Sequence, residues 1–276
     1  MNFESLKEKC EYYRSLQDTK LIPGLYTLAM IDGRSFSKYI KKKYKLPFDD
    51  KFIKFMNETA KYVCENVQGV KLAYVQSDEI SFLLSDYDTP ETESFFGYRT
   101  CKLLSLIAGL GTGIFNKLQL LDLFENYLSY GDDEEAYLDI LQKDEYNKII
   151  NYIPVEFDCK IWQVPTQNDA FAWFLYRQND CIRNSKNQVG NFYLSHKQMM
   201  GKKADDVIQE LKDSGTTDWW HDYSDGKKYG RLIWKEPVQI KTPGKEVVER
   251  QKFMVHDAYV IRDNKEKFLS LIPKNE

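Results

Sequence analysis

The segment that most constrains the fold is residues 25–36, with the sequence LYTLAMIDGRSF. Six of its first seven residues are apolar or aromatic, which predicts a short buried strand rather than a helix. The strand ends at Asp32-Gly33, where a carboxylate lies at the tip and the glycine allows a tight turn. Ser35 and Ser37 can cap a short helix that follows the turn. The free N–H groups at the start of such a helix bind phosphates, and the carboxylate beside them binds the metal that those phosphates carry. An ordinary Asp-Gly turn remains the alternative at this point.

A second acidic turn occurs further along the chain. Residues 48–67 carry apolar side chains at three- and four-residue steps, which predicts an amphipathic helix. Strands are predicted at residues 71–75 and 80–84, and the turn between them contains Gln76, Ser77, Asp78 and Glu79. A helix over residues 91–117 and a strand over residues 156–164 follow.

This order predicts a ferredoxin-like α+β fold, a split β-α-β antiparallel sheet with helices on one face. A right-handed crossover leaves room for the third strand between the first two, so Asp32 and Asp78 are predicted to converge. Neighbouring carboxylates repel unless a cation or proton lies between them. Two Mg²⁺ ions are the predicted occupants, with Asp32, Asp78 and the Gly33 carbonyl as ligands and Glu79 as an outer ligand. Two unrelated surface turns are the alternative.

Composition excludes several classes of protein. The 276 residues have a formal charge of −3, so the chain is not a polycation, although a local basic face remains compatible with it. Its five cysteines include no Cys-x-x-Cys pair and its three histidines are dispersed, which indicates reduced thiols rather than a disulfide frame or a zinc site. The charged N-terminus lacks a signal-type core, and no stretch of about 18 apolar residues is expected. We therefore expect a soluble cytoplasmic protein that does not cross a membrane.

The remaining segments suggest two regions. Residues 1–165 are predicted to form the domain that carries the two acidic turns, with an acidic helical insertion at about residues 119–151. Residues 166–276 are predicted to form a helical and small strand-rich extension. Thr166 is expected to cap a helix that runs to Gln178, before a polar stretch over residues 177–187 suited to phosphates and sugars. The lysine-rich residues 38–45 are either a solvated face or a substrate contact.

Several blocks of this sequence resemble the tRNA-His guanylyltransferase family in order and spacing. The residues that carry the resemblance are Asp32-Gly33-Arg34-Ser35-Phe36, Pro47-Phe48-Asp49, Gln76-Ser77-Asp78-Glu79-Ile80-Ser81-Phe82, Phe115-Asn116, Phe157-Asp158-Cys159-Lys160, Arg177-Gln178-Asn179-Asp180-Cys181, Asn184-Ser185 and Ser195-His196-Lys197. The pair Asn184-Ser185, followed by Ser195-His196-Lys197, makes the chain most similar to the bacterial and archaeal guanylyltransferase-like branch of this family.

The resemblance implies a polymerase-like palm that adds nucleotides to the 5′ end of tRNA in the 3′-to-5′ direction. ATP or GTP would activate the 5′ phosphate, which the 3′-hydroxyl of the incoming nucleotide then attacks. The implied catalytic residues are Asp32, Asp78 and Glu79, and Asp32, Gly33 and Asp78 would hold two Mg²⁺ ions. The implied nucleotide-binding residues are Gly33, Arg34, Ser35, Phe36, Ser77, Arg99 and Lys102. The RNA-binding candidates are Arg177, Arg183, Asn184, Ser185, Lys186, His196 and Lys197.

The resemblance further implies that residues 1–165 are the catalytic palm and that residues 166–276 serve tRNA binding and oligomerisation. It also implies a homotetramer and, for this branch, template-dependent repair of truncated tRNA 5′ ends. Eukaryotic members carry a His-Ile-Asn-Asn-Leu-Tyr-type segment where this chain has residues 182–187, and an arginine is often found at the position of Met30. Two other functions stay open. One is a nucleotide cyclase on the same palm, which would act without RNA. The other is a catalytically lapsed RNA-binding protein, which would ignore magnesium.

Overall fold

The structure is a computed structural model that describes residues 3–16, 18–86, 92–128, 144–240 and 247–274. Within these residues the chain forms a six-stranded sheet in the order β4-β1-β3-β2-β5-β6, with antiparallel neighbours throughout. The strands are β1 (Tyr26–Gly33), β2 (Val70–Gln76), β3 (Glu79–Leu84), β4 (Phe157–Val164), β5 (Arg231–Ile240) and β6 (Val248–Asp257). Because β3 lies between β1 and β2, the predicted split β-α-β order is confirmed.

Helices lie on both faces of this sheet. In chain order the described helices are α1 (Leu6–Ser15), α2 (Phe36–Lys43), α3 (Asp50–Asn66), α4 (Thr100–Leu128), α5 (Asp144–Ile150), α6 (Gln167–Tyr193), α7 (His196–Met199), α8 (Ala204–Asp213), α9 (Asp225–Tyr229) and α10 (Lys265–Leu269). The palm helices α3 and α4 share one face, as predicted, and α6 from the C-terminal extension covers the other.

The first face is held by a cluster of aromatic rings. Phe115 of α4 is fully buried. Its ring centroid lies 5.5 Å from those of Phe36 and Phe157, 6.2 Å from that of Phe52 and 6.3 Å from that of Phe55. Offset rings at these separations attract one another beyond the burial of their apolar area. The cluster therefore ties α2, α3, α4 and β4 together at one end of the sheet.

The second face is covered by α6, which is longer than predicted. Its side chains Phe174, Gln178, Cys181, Ser185 and Val189 are all buried and recur at three- and four-residue steps. Thr166 caps this helix as predicted, since its hydroxyl accepts from the Asp169 N–H at 3.1 Å. The polar stretch at residues 177–187 was expected beyond the helix and instead lies within it, because the buried face continues through it.

The start of α4 also differs from the prediction. The helix was expected from residue 91, but it begins at Thr100. The preceding residues Phe96, Gly97 and Tyr98 have φ values of 50°, 56° and 55°, a left-handed backbone that cannot continue an α-helix. Much of the acidic insertion, residues 129–143, lies outside the described residues.

The apolar character of α4 overturns one expectation. Residues Thr100–Asn126 contain an 18-residue window with a mean hydropathy of 1.3, which reaches the length and composition of a membrane span. Leu103, Ile107 and Phe115 of this helix are buried in the aromatic face of the sheet. A core helix of a globular protein meets the same criterion. The expectation that no segment of the chain would reach the length and apolar composition of a membrane span is therefore wrong.

The sheet crosses the predicted boundary at residue 165. Strand β5 pairs with β2 from Arg231↔Val75 to Trp234↔Leu72, so residues of the C-terminal region extend the palm sheet. The assignment of residues 166–276 to tRNA binding and oligomerisation stays a prediction.

Phe115→Ala is expected to lower the free energy of unfolding by about 3–5 kcal/mol, because a buried ring is lost and a cavity remains. Urea denaturation followed by circular dichroism measures this change. Phe124→Ala, on the same helix with the ring 46% exposed, is the matched control and should cost less than about 1 kcal/mol. Equal losses in the two variants would contradict the packing described here.

Candidate active site

Two acidic turns meet at one end of the sheet. In the β1–β3 register Asp32 lies opposite Glu79, and the Gly33 N–H donates to the Asp78 carbonyl oxygen at 3.2 Å. The strand tips are thus joined directly, and Asp32 and Asp78 lie side by side as the predicted strand order requires.

A third acid, Asp158, belongs to the same row. Asp158 of β4 lies opposite Asp32 on the other side of β1, so Asp158, Asp32 and Glu79 occupy successive strands on one face. Asp158 belongs to one of the motifs in the sequence, but no role was predicted for it. The sequence indicated only that Asp158 lies near the start of a strand, and not that this strand pairs with β1.

The pKa values of these acids reflect their crowding and burial. Burial raises the pKa of Asp78 to about 6, and the charge of Asp32 adds to the rise. Burial also raises the pKa of Asp32, and the neighbouring Asp158 charge raises it further. Burial and mutual repulsion therefore disfavour the ionised forms, and a cation between the strand tips would stabilise them.

Glu79 has a different partner from the one predicted. Its carboxylate accepts two hydrogen bonds from Arg177, at 2.7 Å from Nε and 2.5 Å from NH2, and one from Gln76 Nε2 at 3.1 Å. Arg177 also contacts Asp180 at 3.1 Å and its side chain is only 12% exposed. Arg177 therefore anchors α6 to the sheet, and its assignment to RNA binding stays a prediction.

The turn after β1 is shaped by Phe36. A Cβ atom built on Gly33 would lie 2.3 Å from the Phe36 ring, so the glycine is required for this close contact and not for a positive φ. The N–H groups of Gly33 and Arg34 donate to the carbonyl oxygens of Asp78 and Glu156. Two of the four N–H groups predicted to hold a triphosphate are therefore already bonded within the chain. The other two, of Ser35 and Phe36, lie at the start of α2, where an N–H group has no acceptor within the helix.

The acids open into a cavity of about 410 Å³. One wall is apolar and consists of Pro47, Phe48 and Phe52. The opposite wall is one face of α6, where uncharged amides recur at three- and four-residue steps: Asn184, Asn187, Gln188 and Asn191. The cavity thus combines an apolar surface, a row of hydrogen-bonding amides and an acidic end that includes Ser77.

The remaining RNA-binding candidates are spread along and beyond α6. Ser185 is buried and donates to the carbonyl oxygen of Ile182 at 2.9 Å. Arg183 pairs with Asp180, and Lys186 pairs with Asp205. His196 and Lys197 lie on α7, beyond the end of α6, and do not line the cavity.

Arg34, Arg99 and Lys102 are not brought to the cavity within one chain. The exposed Arg34 side chain pairs with Glu156 at 2.9 Å. Arg99 pairs with Asp18 at 2.8 Å, in the segment before β1 begins. The active-site end of α4 is marked by Thr112, whose hydroxyl accepts from the Phe157 N–H. At a rise of about 1.5 Å per residue, Thr112 lies about 20 Å along the helix from Arg99. Arg99 and Lys102 thus lie far from the β1 turn within one chain, and their assignment to nucleotide binding stays a prediction.

Comparisons with known proteins agree on one family. The family model described as Thg1, tRNAHis guanylyltransferase, matches residues 6–165. A probable tRNA(His) guanylyltransferase of Dictyostelium discoideum is 27% identical over 252 residues, which span 84% of each chain. A bacterial tRNA(His) guanylyltransferase (Thg1)-like protein solved in complex with ATP superposes with a TM-score of 0.76, at 26% identity over 98% of this chain and 99% of that one. The Saccharomyces cerevisiae tRNA(His) guanylyltransferase, at 18% identity and a TM-score of 0.63 over 92% of this chain and 98% of that one, shares the fold.

Asp78→Asn should make stability less dependent on pH. Because the folded pKa of Asp78, about 6, lies above the value of an unfolded chain, the wild type loses stability as pH rises from 4 to 8. We therefore compare the free energies of unfolding of variant and wild type without divalent cations. The variant's value minus the wild-type value should increase by about 2 kcal/mol from pH 4 to pH 8. Urea titrations at both pH values measure it. Asp213→Asn, an exposed control, should show no such trend, and a flat difference for Asp78→Asn would refute the expectation.

Arg177→Met is expected to lower the free energy of unfolding by about 3–5 kcal/mol at pH 7, because Glu79 would be left buried and charged without its partner. Arg183→Met, whose side chain is 64% exposed, should cost about 0–1 kcal/mol. Adding Glu79→Gln to the Arg177 variant should restore part of the loss in the same urea titrations. An equal loss in the two arginine variants would contradict the buried ion pair.

Proposed function

Because the chain belongs to the Thg1 family of tRNAHis guanylyltransferases, we propose that this nucleotidyltransferase uses magnesium to add nucleotides to the 5′ end of tRNA in the 3′-to-5′ direction. The observation that carries the proposal is the meeting of Asp32 and Asp78 at the tips of two hydrogen-bonded antiparallel strands, beside a cavity large enough for a nucleotide.

The donor set at the strand tips fits magnesium. Mg²⁺ prefers oxygen ligands and is usually held by one or two carboxylates together with substrate phosphates. Among the described residues no three acidic, histidine or cysteine side chains come together as a group that could hold a metal ion by itself. Asp32, Asp78 and the Gly33 carbonyl would hold the magnesium ion. When bound, magnesium neutralises phosphate charge and favours ionisation of an attacking hydroxyl.

The residues of this chain would act mainly by positioning the reactants. The N–H groups of Ser35 and Phe36 at the start of α2 are placed to bind phosphate oxygens. The amide row of α6 can donate to and accept from a sugar or a base edge without demanding one base. In the transfer step the 3′-hydroxyl of the bound nucleotide attacks the activated 5′ phosphorus, its oxygen forms the new P–O bond, and the activating group leaves. Alignment of these groups supplies much of the rate enhancement.

Two finer features belong to the same proposal. ATP or GTP would serve as activating nucleotide and substrate, and the support is the relative solved in complex with ATP. Template-dependent repair of truncated tRNA 5′ ends is favoured over a function limited to tRNA-His, because Ile182 replaces the histidine of the eukaryotic segment and residues 185–187 also depart from it. Oligomerisation is supported by exposed apolar side chains on α1, Leu6 at 79% and Tyr13 at 56%.

Incubation with a 5′-truncated, labelled tRNA, magnesium and all four nucleotides should lengthen the RNA at its 5′ end. Asp32→Asn and Asp78→Asn should each reduce the rate by roughly 100-fold or more, because carboxylates at the site of charge development are lost. Gel electrophoresis of the labelled product measures the rate. Asp213→Asn, an exposed acid on α8, should behave as wild type.

Three results would count against the proposal. The first is the absence of 5′ extension by the wild type, and the second is unchanged activity in both folded aspartate variants. The third is rapid turnover of nucleotide without RNA, which would indicate a cyclase instead.

A further inference from the structure

A second cavity, of about 640 Å³, lies between the end of α2, the start of α3 and the middle of α4. We call it the lysine cavity because its lining includes Lys42, Lys43, Lys45 and Lys51. It shares Lys45, Phe48 and Asp49 with the catalytic cavity. A continuous surface therefore leads from the paired acids to these lysines.

The acids of the lysine cavity are already committed. Asp122 pairs with Lys51 at 2.8 Å, and Asp50 pairs with Lys227 at 2.7 Å. Asp49 caps α3 by accepting from the Phe52 N–H at 2.9 Å. Within the part of the chain that the structure describes, Lys42, Lys43 and Lys45 therefore have no carboxylate at ion-pair distance.

Lys43 shows most clearly that this positive charge is unbalanced. Its ammonium donates to Gln119 Oε1 at 2.5 Å and to the Tyr39 hydroxyl at 3.1 Å. It also lies 5.3 Å from the ring centroids of both Tyr39 and Tyr152. All of these partners are neutral, and burial lowers the pKa of Lys43. An anion in the cavity would supply the charge that these partners lack.

The cations of α6 offer a contrast. Arg177, Arg183 and Lys186 are each bound to a carboxylate of the same chain. A phosphate contact at those residues would first have to displace an existing partner. Among the described cations that line the two cavities, Lys42, Lys43 and Lys45 have no carboxylate partner. The same holds for Arg231, but its side chain is buried and donates to Asn57 Oδ1 and to the Gly226 carbonyl oxygen.

We propose that the lysine cavity binds a phosphodiester group of the RNA strand whose 5′ end lies at Asp32 and Asp78. This inference rests on the proposed function. From Phe36 to Lys43, α2 spans about 10 Å, which corresponds to roughly three phosphates of a stacked strand. The catalytic cavity accommodates the reacting nucleotide, whereas the exposed rim at Lys42 and Lys45 suits a backbone that continues outward.

Binding of a 5′-truncated tRNA tests the proposal independently of catalysis. Lys42→Gln and Lys43→Gln should each weaken binding several-fold and lower the slope of log K against log salt by about 0.7–0.9, as one lost phosphate contact does. Lys9→Gln, an exposed lysine on α1, carries the same charge change and should leave both quantities unchanged. Lys42 makes no internal hydrogen bond at its ammonium in the described structure, so its variant separates binding from folding.

Neutral linkages locate the contact on the RNA. Methylphosphonate substitution at the second to fifth linkages from the 5′ end should weaken binding to the wild type at one or two positions and have no further effect on Lys42→Gln. Equal effects on the two proteins would overturn the proposal. It would also be overturned if the variants lost affinity for free ATP or GTP and not for RNA, since the cavity would then hold a nucleotide phosphate. Absence of 5′ extension by the wild type would refute the proposed function, whereas the binding measurements would still test whether the lysine cavity binds RNA.

Discussion

Antiparallel pairing of β1 with β3 is the constraint on which the active site depends. The register fixes Asp32 opposite Glu79, and the hydrogen bond from Gly33 to Asp78 closes the end of the pair. Strands must keep this register because a shift by one residue would turn Ile31 from the face packed on α3 and α4 to the face covered by α6, and would turn Asp32 into the aromatic cluster. The burial of apolar side chains on both faces therefore determines where the carboxylates converge, although no apolar side chain takes part in the chemistry.

Bringing acids together in a partly buried place has an electrostatic cost, and the structure offsets it in two ways. Glu79 is neutralised internally by Arg177, an ion pair that also fixes α6 over the sheet. Among the described residues Asp32 and Asp78 have no such ion pair, and burial raises their pKa values. Glu79 is thus paired within the chain, whereas Asp32 and Asp78 are left for an external charge. This division explains how a crowded acidic site can be stable and still bind a cation together with phosphates.

Local patterns in the sequence were sufficient for the strands of the palm, the amphipathic α3 and the meeting of two acidic turns. They were insufficient where a contact joins distant segments. The pairing of Glu79 with Arg177, 98 positions apart, has no local signature, and neither has the pairing of Asp158 with Asp32. The length of α6 was misjudged because its amides were weighed by polarity, although Cys181, Ser185 and Val189 continue the buried stripe of Phe174. Arg99 was misplaced because a left-handed turn at residues 96–98 sets where α4 begins.

The pairing of β5 with β2 has a consequence for biosynthesis. The neighbour of β2 is not made until residue 231, and β6 ends only at Asp257. On a ribosome the first four strands would emerge with one edge of the sheet uncovered, which is a template for association with other chains. The nascent palm can therefore complete its sheet only after Asp257 has been translated. Premature termination between the end of β4 and the start of β5 would yield a chain that retains every acidic residue of the site and yet exposes an aggregation-prone edge.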